Sequence, residues 1–182
     1  MTTAVSNLLS VANKEFKTFF ASPAAYLFLG AFVGLSLFVF FWVETFFSRN
    51  IADIRPLFQW FPILLIFLVS ALTMRSWSEE KRSGTIESLL TSPVSKFTLI
   101  GGKFVAALSL VLIAMVLTLP LPLTVSVLGR LDIGPVFGGY VATFFLAASY
   151  ISIGLYTSAK TDNPIVALIM TVMLCGIFYI IG

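Results

Sequence analysis

Histidine is absent from this sequence, and cysteine occurs once, as Cys175. No nitrogen and sulfur donor set for a transition metal is therefore expected, and an intrachain disulfide is excluded. Charge is scarce as well. Only 10% of the residues are Asp, Glu, Lys or Arg, against about a quarter in soluble domains. The charges are missing in blocks: the runs 18–43, 56–74, 104–129, 133–159 and 163–182 contain none, and the shortest is 19 residues long. A hydrocarbon layer about 30 Å thick needs roughly 20 apolar residues at 1.5 Å each. With a mean hydropathy of +1.04, the chain reads as a membrane protein rather than a soluble domain. Continuous apolar runs, not alternating ones, exclude a barrel. The Gly-x-x-x-x-Gly-Lys-Ser/Thr phosphate loop is missing, and Gly101-Gly102-Lys103 lacks both its spacing and its hydroxyl. No charge lies deep in a run, which disfavours an ion-coupled transporter. Glu44, at the edge of a run, is a boundary residue. No catalytic constellation is present, and the dispersed basic residues give no nucleic-acid patch.

What remains is an all-α polytopic membrane protein, with a single transmembrane domain over 1–182. Residues 1–22 place Val5, Leu8, Leu9, Ala12, Phe16, Phe19 and Phe20 on one helical face, opposite Lys14 and Lys17. That pattern predicts an amphipathic helix lying in the membrane interface rather than a signal peptide. Five spans follow at 24–43, 57–74, 102–128, 136–156 and 165–182, with a charged loop at 75–101 between the second and third. A sixth span is expected beyond Gly182. The basic residues Lys14, Lys17, Arg75, Lys81, Arg82, Lys96, Lys103 and Lys160 fall on one side. Arg49, Arg55 and Arg130 fall on the other. The positive-inside bias therefore predicts a cytoplasmic N-terminus and a cytoplasmic 75–101 loop.

Some span residues carry two readings each. Gly30 and Gly34 form a GxxxG that admits close helix packing, within the subunit or at a dimer seam. Pro62, Pro120 and Pro122 interrupt spans and provide hinges or static kinks. Thr143, Ser149, Tyr150, Ser152, Tyr156 and Thr157 make the fourth span the most polar, as a path lining or as hydrogen-bonding groups between helices.

The loop is the most informative segment. Glu79, Glu80, Lys81 and Arg82 come first, followed by Gly84 and Thr85. Ile86, Leu89 and Leu90 then form an i, i+3, i+4 stripe, with Glu87 on another face of a short helix. Ser92-Pro93 reads as the cap of the next helix. From pattern alone, this is either an element that docks on a soluble partner or an ordinary solvated loop.

The stretch Glu79 to Ser95, with Gly-Thr-x-Glu-x-Leu-Leu and then Pro-Val-Ser, resembles the signature of the ABC-2 family of ABC-transporter permeases. The lead-in Ala71 to Trp77 and the follow-on Gly102-Lys103 are similar to the gliding-motility-associated permease group in particular. The resemblance implies a coupling helix over 84–90 that sits in a cytoplasmic ATPase subunit. Its contacts or orienting pairs would be Glu79, Glu80, Lys81, Arg82 and Glu87. It also implies an elbow helix at the N-terminus, a second permease subunit, six spans and a bacterial inner-membrane location. It implies no cofactor or metal on this chain, whose direct partners would be ATPase, second subunit and lipid. The expected function is transport driven by ATP hydrolysis on a separate chain; the alternative is a non-transporting scaffold that transmits force to an envelope complex.

Overall fold

A computed structural model describes residues 2–46, 53–86, 95–129 and 131–181. Among these residues there is no strand, and five helical stretches are long and apolar enough to cross a membrane. The elements are α1 (Thr2–Ala21), α2 (Pro23–Phe38, continued by a π-helical turn Val39–Val43), α3 (Arg55–Thr73), α4 (Ser78–Arg82), α5 (Lys96–Thr118), α6 (Pro120–Leu128), α7 (Ile133–Lys160) and α8 (Pro164–Ile181).

Short polar residues start the helices where the sequence provides them. Ser22 caps α2 ahead of Pro23, Ser95 caps α5 through the Thr98 N–H at 3.2 Å, and Asp132 caps α7 through Gly134 at 3.1 Å. Each side-chain oxygen satisfies an amide that the helix leaves open. The α5 cap lies beyond Ser92-Pro93, which fall outside the described residues. The third span begins at Lys96, ahead of the Gly102 suggested by the apolar run, and divides at Leu119. Pro120 and Pro122 bring no amide to the ladder there, and the Leu119 N–H turns back to Val116 O at 3.1 Å. Pro62 lies inside α3 without ending it. At the far end of α2, Glu44 accepts the Trp60 indole N–H at 2.9 Å, which joins the end of the first span to the start of the second.

α3 packs against α2, α7 and α8, while α5 packs against α1, α2 and α7. Three glycines bring these helices unusually close. A Cβ on Gly154 of α7 would lie 2.1 Å from Thr73 Oγ1, one on Gly139 would lie 2.5 Å from the Phe58 ring, and one on Gly102 of α5 would lie 2.4 Å from Val11 Cγ1. α1 therefore does not simply rest on headgroups. Val11 and the buried Ala12 pack onto α5, while Leu9 on the same helix stays exposed. Gly30 and Gly34 behave differently, since a Cβ at either meets no atom within 4 Å. Among the described residues they make no close helix contact.

The hydroxyls of the polar fourth span mostly bond back to their own helix: Thr143 to Gly139 O, Ser149 to Phe145 O and Ser152 to Ala148 O. Thr157 bonds to Gly154 O in its own helix and also meets Thr171 of α8 at 2.5 Å, and Tyr150 is buried in the core.

Because Thr73 is fully buried, Gly154→Val should cost about 1–3 kcal/mol, the usual penalty of overpacking. Gly176→Val, where a Cβ meets nothing, should leave stability unchanged. Thermal unfolding of the two variants in detergent, against the parent protein, checks the contrast.

Candidate functional site

The charged loop begins where α3 ends. Thr73 closes the span, a turn carries the chain through Met74–Trp77, and α4 follows with Glu79 and Glu80 in its first turn and Lys81 and Arg82 in its last. That order of charge suits the helix dipole. Ser83 ends α4, and Gly84 reverses the chain at φ +72. A side chain is strained at that angle, whereas glycine is not.

One face of this turn is fixed to α7 and α5, and through α5 to α1. Ser158 of α7, fully buried, accepts the N–H groups of Trp77 at 3.0 Å and Ser78 at 3.2 Å, and donates to Met74 O at 3.0 Å. A single hydroxyl thus satisfies amides at the start of α4 and a carbonyl at the end of α3. The Lys81 ammonium donates to Ala159 O, next along α7. Ser158 lies one helical turn beyond Gly154, so the close approach of α7 to α3 brings it within reach.

The third anchor is Lys103 of α5, only 5% exposed. Its ammonium donates to Glu80 Oε1 at 2.7 Å, Glu15 Oε1 at 3.1 Å and Ser76 O at 2.9 Å. It also sits 4.9 Å from the centre of the Trp77 ring. Three donors meet three acceptors, as a buried ammonium requires. Glu15 reaches it because α1 crosses α5 at Gly102, immediately beside Lys103, and Glu15 follows Val11 by one helical turn.

The other face of the turn is open. Glu79, Arg82, Ser83, Gly84 and Thr85 are exposed. Ser83 and Thr85 share a hydrogen bond of 2.9 Å, which closes the chain around Gly84. Ile86 is partly buried against the protein's own core, so the first member of the expected apolar stripe faces inward. Glu87, Leu89 and Leu90 lie outside the described residues.

The expected loop residues therefore divide into two sets. Glu80, Lys81 and Ile86 are held by the membrane domain, while Glu79, Arg82, Gly84 and Thr85 are presented outward. Charge patterning alone could not separate them, because all lie in one short polar block. Glu15 and Ser158 escape a motif reading, and Lys103 enters one only as the follow-on to Gly102, with no role attached. The available signal was a lysine immediately after Gly101-Gly102, one residue before a long charge-free run. No group of three His, Cys, Asp or Glu side chains among the described residues is placed to hold a metal.

Removing the Lys103 ammonium leaves two partly buried carboxylates without their cation. Lys103→Met should destabilise the protein by about 2–3 kcal/mol, near the lower end for breaking a buried pair. Adding Glu80→Gln should recover part of that loss. A double-mutant cycle on thermal unfolding should return a coupling of at least about 1 kcal/mol, whereas Lys103 with the exposed Arg82 should return none.

Comparison with known proteins agrees with this architecture. The family model for ABC-2 family transporter proteins matches residues 3–182, whereas no curated protein and no solved structure matches significantly. Such permeases are the membrane components of ABC transporters, which in general pair with an ATPase and with a second permease subunit. With five helices among the described residues long and apolar enough to cross a membrane, and a match over nearly its whole length, this chain belongs to the ABC-2 family of transporter proteins.

Proposed function

We propose that the chain couples ATP hydrolysis on a separate cytoplasmic ATPase subunit to export or movement of a substrate across the bacterial inner membrane. The observation that carries this reading is the two-sided turn at 74–86. Its inner face is bonded to α7 and α5, and through Lys103 of α5 to α1, while its outer face offers Arg82, Gly84 and Thr85 with Glu79 at the margin. An element that only set topology would need no such anchoring. One that receives a push from a soluble partner needs both a free surface and a stiff connection to the spans.

In this reading the coupling helix lies over 84–90, with α4 leading into it. α1 is the elbow helix, and the N-terminus and the loop face the cytoplasm, following the basic-residue bias. Gly30 and Gly34, open in this subunit, suit a seam with a second permease subunit, where small residues let helices approach. The similarity of residues 71–103 to the gliding-motility-associated group is the finer assignment that goes with this proposal.

The test is co-purification of the tagged permease with the ABC ATPase encoded beside it. Arg82→Glu and Glu87→Lys should each lower the bound ATPase by about tenfold, the effect of losing roughly 1.4 kcal/mol, and abolish ATP-dependent activity. Membrane insertion should be unchanged. In a Cys175→Ala background, Ser83→Cys should react with an impermeant thiol reagent only when the cytoplasmic face is opened. Full ATPase retention and activity in both charge variants would remove the coupling role, and labelling of intact cells would reverse the orientation.

A further inference from the structure

A cavity of about 770 Å³ lies between α1, α2, α3 and the turn that leads into α4. Its size falls in the range of small-molecule sites, about 300–1,000 Å³, but its walls are divided in an unusual way. Leu27, Phe28, Leu68 and Leu72 line one end, whereas Arg75 and Glu79 stand at the other beside Glu15, Glu80 and Lys103. Along α2 the lining runs from Pro23 to Ala31, a depth of about 12 Å at the helical rise. One end of the cavity is thus charged and the other is hydrocarbon-like.

The charged end has a definite balance. Lys103 has spent its three donors on Glu15, Glu80 and Ser76, so it offers none to a ligand, and its trio with the two carboxylates carries a net negative charge. Arg75 and Glu79 are exposed and have no ion-pair partner among the described residues. A ligand seated here meets one free guanidinium, one free carboxylate and a surplus of negative charge beside them. The guanidinium fork suits a phosphate. The carboxylates call for a cation with N–H groups to donate.

We infer that this cavity holds a phospholipid with a primary-ammonium headgroup, phosphatidylethanolamine in chemical terms. The phosphate would lie on Arg75, the ammonium on Glu79, and one acyl chain between Leu27 and Leu72. A choline headgroup brings the same phosphate without an N–H donor. An anionic headgroup brings the same phosphate without a cation to offset the surplus carboxylate. The lipid comes from the leaflet in which α1 lies, and it bridges the N-terminal helix to the turn before α4. This inference needs the membrane location of the chain but not the coupling role proposed above, so either can fail without the other.

The test uses the full-length protein reconstituted in vesicles with equal parts of phosphatidylethanolamine, phosphatidylcholine and phosphatidylglycerol. The protein is then extracted in mild detergent, and its retained lipid is quantified by mass spectrometry. Retained phosphatidylethanolamine should exceed phosphatidylcholine by about tenfold, the contribution of one charge-assisted hydrogen bond. Glu79→Gln should erase that preference, Arg75→Gln should lower retention of all three lipids, and Ala31→Trp should fill the apolar end and expel the chain. Both headgroup variants alter exposed side chains, so a melting temperature equal to that of the parent protein is expected alongside the lipid readout. Equal retention of the three lipids by the parent protein would overturn the assignment. So would a preference for phosphatidylglycerol, or an ethanolamine preference that survives in Glu79→Gln.

Discussion

An ammonium group with almost no access to water has to be surrounded by acceptors, and Lys103 is surrounded from three directions. One acceptor comes from α1, one from the turn after α3 and one from α4. Moving any of these elements away would strand a charge in a poorly solvated place, at a cost of several kcal/mol. The position of α1 across α5, the course of the turn and the orientation of α4 are therefore aspects of a single electrostatic requirement. The Trp77 ring over the ammonium adds a further attraction that strengthens as water is excluded.

That requirement can be met only because the helices approach closely enough, and inside a membrane the hydrophobic effect does not press them together. Close packing has to do so, and glycine permits it. Without a side chain at Gly102, Val11 settles onto the α5 backbone and Glu15 comes within reach of Lys103. Without one at Gly154, Thr73 and the end of α3 come near enough for Ser158 to bond the turn. Hydroxyls serve a second purpose in the same setting. Ser36, Ser70, Thr73 and Thr171 are buried and each bonds to the carbonyl one turn earlier in its own helix. This satisfies the polar group without demanding a partner on another helix.

These two kinds of interaction differ in how they can be read in the sequence. The spans are legible because lipid excludes charge over a full helix length, and a charge-free run needs no knowledge of neighbours. The loop is legible as a block, since eight charges between Arg75 and Lys103 stand against apolar flanks. Its internal division is not. Glu79 and Glu80 are adjacent and chemically equal, yet one faces outward and the other meets a lysine more than twenty positions away. Ile86 fits the apolar stripe of a docking helix, but it packs inward because the body of the same subunit supplies the nearer apolar surface. Gly30 and Gly34 carry a packing motif without a packing partner among the described residues, whereas Gly154 and Gly102 carry no such motif and make close contacts. A glycine's role depends on which face of which helix it meets, and that information lies elsewhere in the chain.

The same arrangement bears on how a force applied to α4 would travel under the proposed function. Covalently, α4 continues only α3. Through Ser158 and Ala159 it also grips the end of α7, and through Glu80 it grips α5, which carries α1. A displacement of α4 is thus resisted at three helices at once, and the least costly response is for the bonded ends to move together. Toward the far ends the described residues are joined differently, with the Tyr140 ring packed on Phe58 of α3. α2 is joined to α3 by the Glu44–Trp60 bond, while the third span divides at Leu119 and meets α7 through Thr118 and Tyr140 at 3.0 Å. Under the proposed function, a push on helix ends bonded together in this way would be taken up as tilting of the spans. The proline-interrupted third span, with a weakened ladder at Leu119, is where such tilting meets the least resistance.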